Sequence, residues 1–518
     1  MRNVFLAATV LSMVAGLAWR DLGAQTSYPV VGTPQGGDRR GGYSQPDEEA
    51  QKVYDETGAL PRLYADPKIY LHNMTLLAHV PGRFTETGMM TIGGNRYLFG
   101  GGKVLDVTNP KEPVVINEKA PNGEIAYNQS LQKWILMQTH QCCGVEQDVV
   151  QGGKPLSTLA PPPGTKLGVT FYDVSDPRNP VELSHFSTGP GSYGVHGDGV
   201  YYDGGRYAYL ASRLPGYRGQ PPYEAIEPIL QIIDVSDIRN PKEVSRWWVP
   251  GQKMTEENDF LNWPESGRFI EQSQEKNWSP DWKYDYLHFH GPCIPPKRVE
   301  DGGNRGYCSW SSLGMRILDF SDIRQPKLVG TADISPPFDA GIPVHSAYPM
   351  LERKLVFING ETTRWDCHEG IAIPWVVDVR AEKSPMVIAA FPIPKPPAEA
   401  PYNDFCLRGG RFGTHNPQEF KAPGHHRIDL MGYSWFQGGF RLYDVSNPFR
   451  PEEVAWIVPR QGERRGTEAS FIEWDRNIIY VSSDTGLYIV STPALGEPVL
   501  GPLKPERWNA EGLNIGAP

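Results

Sequence analysis

Beyond its first twenty residues this sequence has no apolar run long enough to cross a bilayer. It also lacks a basic surplus. Lys and Arg total 50 against 60 Asp and Glu, a formal net charge of -10, so nucleic-acid binding, which depends on a basic face that displaces counterions from phosphates, is excluded. No serine nucleophile elbow, phosphate-binding loop or dinucleotide fingerprint occurs, which removes those chemistries. Cysteine is scarce, six in 518 residues. Cys293 with Cys308 and Cys367 with Cys406 are close enough in sequence to pair in an exported protein, whereas the adjacent Cys142 and Cys143 read as buried thiols, because neighbouring cysteines rarely bridge without strain.

What is present begins with an export signal. A basic start and an apolar core from Val4 to Trp19 precede the small residues Gly23 and Ala24. This reads as a signal peptide over 1–24, cleaved to release a periplasmic or secreted protein with no lasting membrane insertion. Residues 25–65 are rich in Gly, Pro and charge and read as an extended linker. A folded unit is expected over 66–498 and a tail over 499–518.

That unit is repetitive. The phrases VLDVTNPKEPVV, FYDVSDPRNPVEL, IIDVSDIRNPKEV, ILDFSDIRQPKLV, VVDVRAEKSPMVI and LYDVSNPFRPEEV recur along the chain, with a degenerate seventh copy in LYIVSTPALGEPV. Each joins two strands through a turn opened by Asp or Asn and followed by Pro, which is hairpin chemistry. Two more strands precede each hairpin. Four-stranded units repeated about an axis predict an all-β, seven-bladed β-propeller. The segment Met74–Gly82 resembles an outer strand with no blade of its own, and is expected to close the last blade as an N-terminal strap. Long insertions at 142–166, 214–228, 250–286, 361–372 and 394–411 all fall at connections that emerge on one face. Function is therefore expected there, with Trp263, Trp278, Trp282, Tyr217, Tyr223 and Trp365 available to wall an apolar or aromatic substrate.

When the blades are aligned by their second strands, one position of the innermost strand stands out. Blades three to six place His196, His290, His345 and His415 there, and blades one, two and seven place Glu86, Glu124 and Glu468. A lone histidine in a strand is usually a hydrogen-bonded core residue. Four of only 12 histidines at one register of consecutive blades point instead to convergence on a metal ion, since buried imidazoles facing one another need a cation or protons. The glutamates are expected to orient the imidazoles or to carry protons. His140 and His288 are weaker ligand candidates.

The hairpin phrase resembles the LVIVD repeat family, whose known members imply a scaffold. The inner-strand pattern is similar to that of the carotenoid cleavage oxygenases, propellers that hold Fe(II) with four histidines backed by glutamates; that resemblance, confined to the pattern, implies Fe(II) and dioxygen. The selenium-binding protein and methanethiol oxidase family, also propellers with histidine-bound metal, implies copper, and zinc suits imidazole equally. Three functions follow as expectations. The first is an exported iron or copper oxygenase or oxidase acting on a small apolar or aromatic molecule. The second uses the metal as a Lewis acid for a lyase, isomerase or hydrolase reaction. The third is a non-catalytic binding or surface-interaction propeller. Oligomeric state is left open.

Overall fold

A computed structural model of the chain describes residues 66–142, 150–151, 154–155, 161–217, 228–262, 289–334, 341–363, 367, 369–462 and 465–497. The expected signal peptide, linker and tail lie outside the described residues, as do Cys143, Tyr223, Trp263, Trp278, Trp282, His288 and Trp365.

Alternation of apolar and polar residues in the repeats produces short antiparallel strands that pair in sequence order. Blade one comprises Thr87–Ile92, Asn95–Gly100, Lys103–Asp106 and Val114–Asn117, and blade two Glu124–Asn128, Lys133–His140, Gly168–Asp173 and Val181–Ser187. Blade three follows with Gly194–Val195, Tyr207–Arg213, Ile229–Asp234 and Lys242–Trp247, and blade five with Ile342–Met350, Leu355–Glu361, Pro374–Asp378 and Met386–Ala390. In blades four and six the three outer strands are regular (Arg305–Ser309, Met315–Asp319, Lys327–Ala332; Leu430–Ser434, Phe440–Asp444, Glu452–Val458). Their innermost segments attach through single bridges, Ile294 to Tyr307 and Pro417 to Tyr433. Blade seven is Thr467–Glu473, Ile478–Ser483 and Gly486–Ser491, with Thr75–Pro81 as its outermost strand, Thr75 facing Ser491 and Val80 facing Leu487. The preceding Tyr70–His72 adds to the outer edge of blade six, with Tyr70 opposite Val458. Inner strands of successive blades pack side by side, and Thr467–Glu473 of blade seven packs on Thr87–Ile92 of blade one, which closes the ring. The chain is a seven-bladed β-propeller.

The repeated Asp explains the regularity of the hairpins. Asp106, Asp173, Asp234, Asp319, Asp378 and Asp444 each accept a hydrogen bond from the backbone N–H two residues on, at 2.7 to 3.0 Å. This local bond fixes the exit from the third strand. A β-bulge recurs between the third and fourth strands of blades one to six, for instance at Phe171/Tyr172 and Leu442/Tyr443, and increases the local twist. The core lies between blades. Leu98, Leu105 and Leu136 of blades one and two pack in one cluster with Phe471, Ile479 and Val481 of blade seven, all fully buried, each such side chain contributing about 1.5 to 3 kcal/mol.

Disulfides join Cys293 to Cys308 and Cys367 to Cys406. The first ties the irregular inner segment of blade four to the blade's next strand, where ladder bonds are few. Cys142 is also disulfide-bonded, which corrects the expectation of a buried thiol there.

Candidate metal centre

The four histidines occupy equivalent places. The backbone N–H groups of His196, His290 and His415 donate to carbonyls of the neighbouring strand at Ala211, Ser309 and Ser434, and His345 lies in the bulge of blade five between Ile342 and Ser346. All four are buried. Close approach of the blades at this level depends on glycine. A Cβ at Gly291, beside His290, would stand 1.8 Å from the carbonyl oxygen of His345, and one at Gly199 would meet the carbonyl of His290 at 2.3 Å. Ring centroids are 4.5 Å apart for His196 and His290, 4.6 Å for His290 and His345, and 5.0 Å for His345 and His415. The convergence expected from the sequence is therefore present.

The nitrogens divide into two sets. Nδ1 of His415 donates to the carbonyl oxygen of Glu468 at 2.8 Å, since a carbonyl only accepts. Nδ1 of His196 meets the amide oxygen of Gln141 at 3.3 Å, and Nδ1 of His345 meets the hydroxyl of Ser346 at 2.7 Å. The Nε2 atoms of His196 and His345 are buried and have no hydrogen-bond partner among the described residues. One side chain faces the Nε2 set: a Glu361 carboxylate oxygen lies 3.7 Å from Nε2 of His290, 3.6 Å from that of His345 and, through its other oxygen, 3.8 Å from that of His415. Arg411 holds Glu361 at 3.0 Å. Asp198 Oδ2 lies 3.4 Å from His415 Nε2. Two triads, Asp198 with His345 and His415, and Glu361 with His290 and His345, bring their donor atoms within 4.8 Å of one another. An imidazole oriented through Nδ1 and offering Nε2 beside a carboxylate is the arrangement of a metal ligand.

Electrostatics agree. Burial drives the pKa of His345 down to about 4 and lowers that of His196, so both are neutral ligands at pH 7. Burial also opposes ionisation of Glu361, but His415, His345 and Arg411 outweigh it and hold the carboxyl below its ordinary range. Burial similarly disfavours charge on His415, yet Glu361 and Asp198 raise its pKa. Two carboxylates beside four imidazoles form a donor set that fits a divalent cation.

The expected carboxylates are placed differently. Glu86 is hydrogen-bonded to Asp198; burial and this bond push its carboxyl well above the usual range, so Glu86 holds a proton that Asp198 lacks. The Glu124 carboxylate pairs with the buried ammonium of Lys421. Glu468 pairs with Arg83 at 3.2 Å, and its backbone carbonyl is what touches His415. The expectation that these three carboxylates orient imidazoles is thus corrected. Sheet register aligned the positions, but longer reach from elsewhere decides the contacts, Glu361 coming from the end of a second strand and Asp198 from two residues past His196. An acid so close to His196 in GVHGDG was a usable signal for Asp198, although Asp198 sits in the turn that follows the strand Gly194–Val195. Glu361 and Arg411 carried no comparable signal. Of the weaker candidates, His140 is hydrogen-bonded to Thr170, as is His185, away from the ring.

A cavity of about 210 Å³ reaches His415 between Glu86 and Asp198 on one side and Asn416, Arg465 and Glu468 on the other. A second, of about 80 Å³, shares Glu86 and Asp198 and continues along the axis to Glu419 and Phe420. The carboxyl pair therefore stands between two chambers.

No family model and no curated protein matches the chain. Among solved structures it is similar to the β-propeller domain of Cps50 (Swd1) from Myceliophteria thermophila, at 10% identity and a TM-score of 0.42, over 81% of this chain and 99% of that one. The fold assignment rests on the strand pairing described above.

Proposed function

We propose that this chain is an exported metalloenzyme that holds one metal ion among His196, His290, His345 and His415, with Glu361 in the same coordination sphere, and uses it with dioxygen to oxidise a small molecule. The observation that carries this reading is the division of the imidazole nitrogens, with Nδ1 of His196, His345 and His415 engaged and the Nε2 atoms of His290, His345 and His415 converging on Glu361. The carboxylate favours Fe(II) over copper, because a hard oxygen donor suits iron and no thiolate is at hand among the described residues. Iron so held supplies a site where dioxygen and substrate can meet. The chain's own residues do the rest. Gln141, Ser346 and the Glu468 carbonyl fix the imidazoles, Arg411 fixes Glu361, and Glu86 donates its proton in a hydrogen bond to Asp198 beside His415.

The Glu86–Asp198 pair equally supports a second reading. One protonated and one ionised carboxyl next to a metal form an acid and a base for a Lewis-acid reaction such as elimination or isomerisation. Elemental analysis of protein purified without chelator, with paramagnetic spectra, separates the readings. Iron or copper with a redox-active signal is expected. Zinc alone transfers the proposal to Lewis-acid chemistry, and no metal leaves the binding-propeller reading.

A further inference from the structure

The lining of the larger cavity bears on what meets the metal. It is lined by Thr85, Asn122, Thr139, His415, Asn416 and Arg465, together with the acids already described, and Val200 is the one hydrocarbon side chain among them. Asn122 and Thr85 lie 3.4 Å apart across the rim. An apolar ring placed here would strip water from these amides, hydroxyls and carboxyls and return no hydrogen bonds, at a cost of about 1 to 3 kcal/mol for each group left unpaired. A hydroxyl both donates and accepts, so a molecule with a hydroxyl on each carbon satisfies such a wall at any rotation. Size limits it further. A cavity of about 210 Å³ lies below the roughly 300 to 1,000 Å³ of pockets for drug-sized ligands, which suits a three- or four-carbon chain with its hydroxyls. Room for it depends on Gly197, where an added Cβ would meet nothing closer than Thr139 Oγ1 at 3.7 Å; a larger side chain there would fill the chamber.

We propose that the substrate class of this site is the small polyol, three or four carbons long, in place of the apolar or aromatic molecule expected from the sequence. The inference rests on the metal reading for its chemistry but on the cavity wall for its specificity. The test uses the full chain as purified, its metal content measured on the same sample, and calorimetric titration with glycerol, erythritol and phenol. Erythritol should bind at least tenfold more tightly than phenol, and Thr139→Val and Asn122→Leu should each weaken erythritol at least tenfold with metal content unchanged. Tighter binding of phenol, or erythritol affinity untouched by both substitutions, would overturn the proposal even in fully metallated protein. Erythritol binding to a preparation without metal would keep the polyol site and remove the metalloenzyme reading, and no binding with no metal would remove both.

Discussion

The outer hairpins and the inner strands of this propeller come from the same repeat and solve opposite problems. In the outer hairpins every device is local and satisfied: the turn Asp caps the amide two residues on, the bulge recurs in place, and apolar side chains meet between blades. At the axis the ladder is irregular near the histidines, reduced to single bridges in blades four and six and bulged in blade five, and buried polar atoms face one another. Regular structure spreads stabilisation over many small contributions, whereas the irregular axis concentrates polar groups whose pairing is incomplete within the protein. That contrast is why function is proposed at the axis, since buried polar groups without partners are costly.

The largest expected effect breaks the outer frame. Deleting residues 66–82 removes Tyr70–His72 and Thr75–Pro81 and exposes the edges of blades six and seven, so the protein should aggregate or fail to fold, measured by size-exclusion chromatography and circular dichroism. Removing 25–60 should leave it monodisperse. Equal behaviour of the two truncations would sink the strap. Next comes the axis. Glu361→Gln should lower metal affinity by more than the roughly 10- to 100-fold typical of losing a group outside the coordination sphere, with thermal unfolding of a folded propeller retained; a smaller loss would place Glu361 outside that sphere. Glu86→Gln keeps the hydrogen bond to Asp198 but not the exchangeable acid, and should reduce turnover by about 10- to 100-fold at unchanged metal content. A smaller change follows at a turn: Asp444→Ala loses the bond to Ser446 and should cost about 1 kcal/mol of stability, with metal unaffected. Glu468→Gln should do least. Its carbonyl, which the substitution keeps, is what orients His415, and Arg83 is half-exposed.

The same contrast explains what could be read without coordinates. Turn chemistry repeats at the short range a sequence displays, so Asp106 through Asp444 disclosed the blades and their order. The four histidines were legible because the fold converts one register into one height on the axis. The carboxylates were not. Glu86, Glu124 and Glu468 share the register, yet their side chains reach Asp198, Lys421 and Arg83, while Glu361 arrives from the end of a neighbouring strand and is held by Arg411 from a loop 50 residues on. Register fixes where a backbone lies; which carboxylate fills a shared space depends on side-chain length and charge from several blades at once. The character of the cavity was likewise hidden, because Thr85, Asn122, Thr139 and Arg465 come from in and around blades one, two and seven and only the ring assembles them.

The central claim is that the axis is a metal centre, and metal stoichiometry tests it most directly. Protein purified without chelator and its His345→Ala variant, shown by circular dichroism to share one fold, are compared by elemental analysis. The account predicts about one ion per wild-type chain and less than about a tenth of that in the variant, because His345 faces Glu361 in the middle of the cluster. Equal metal in the two proteins, or none in the wild type, would contradict it.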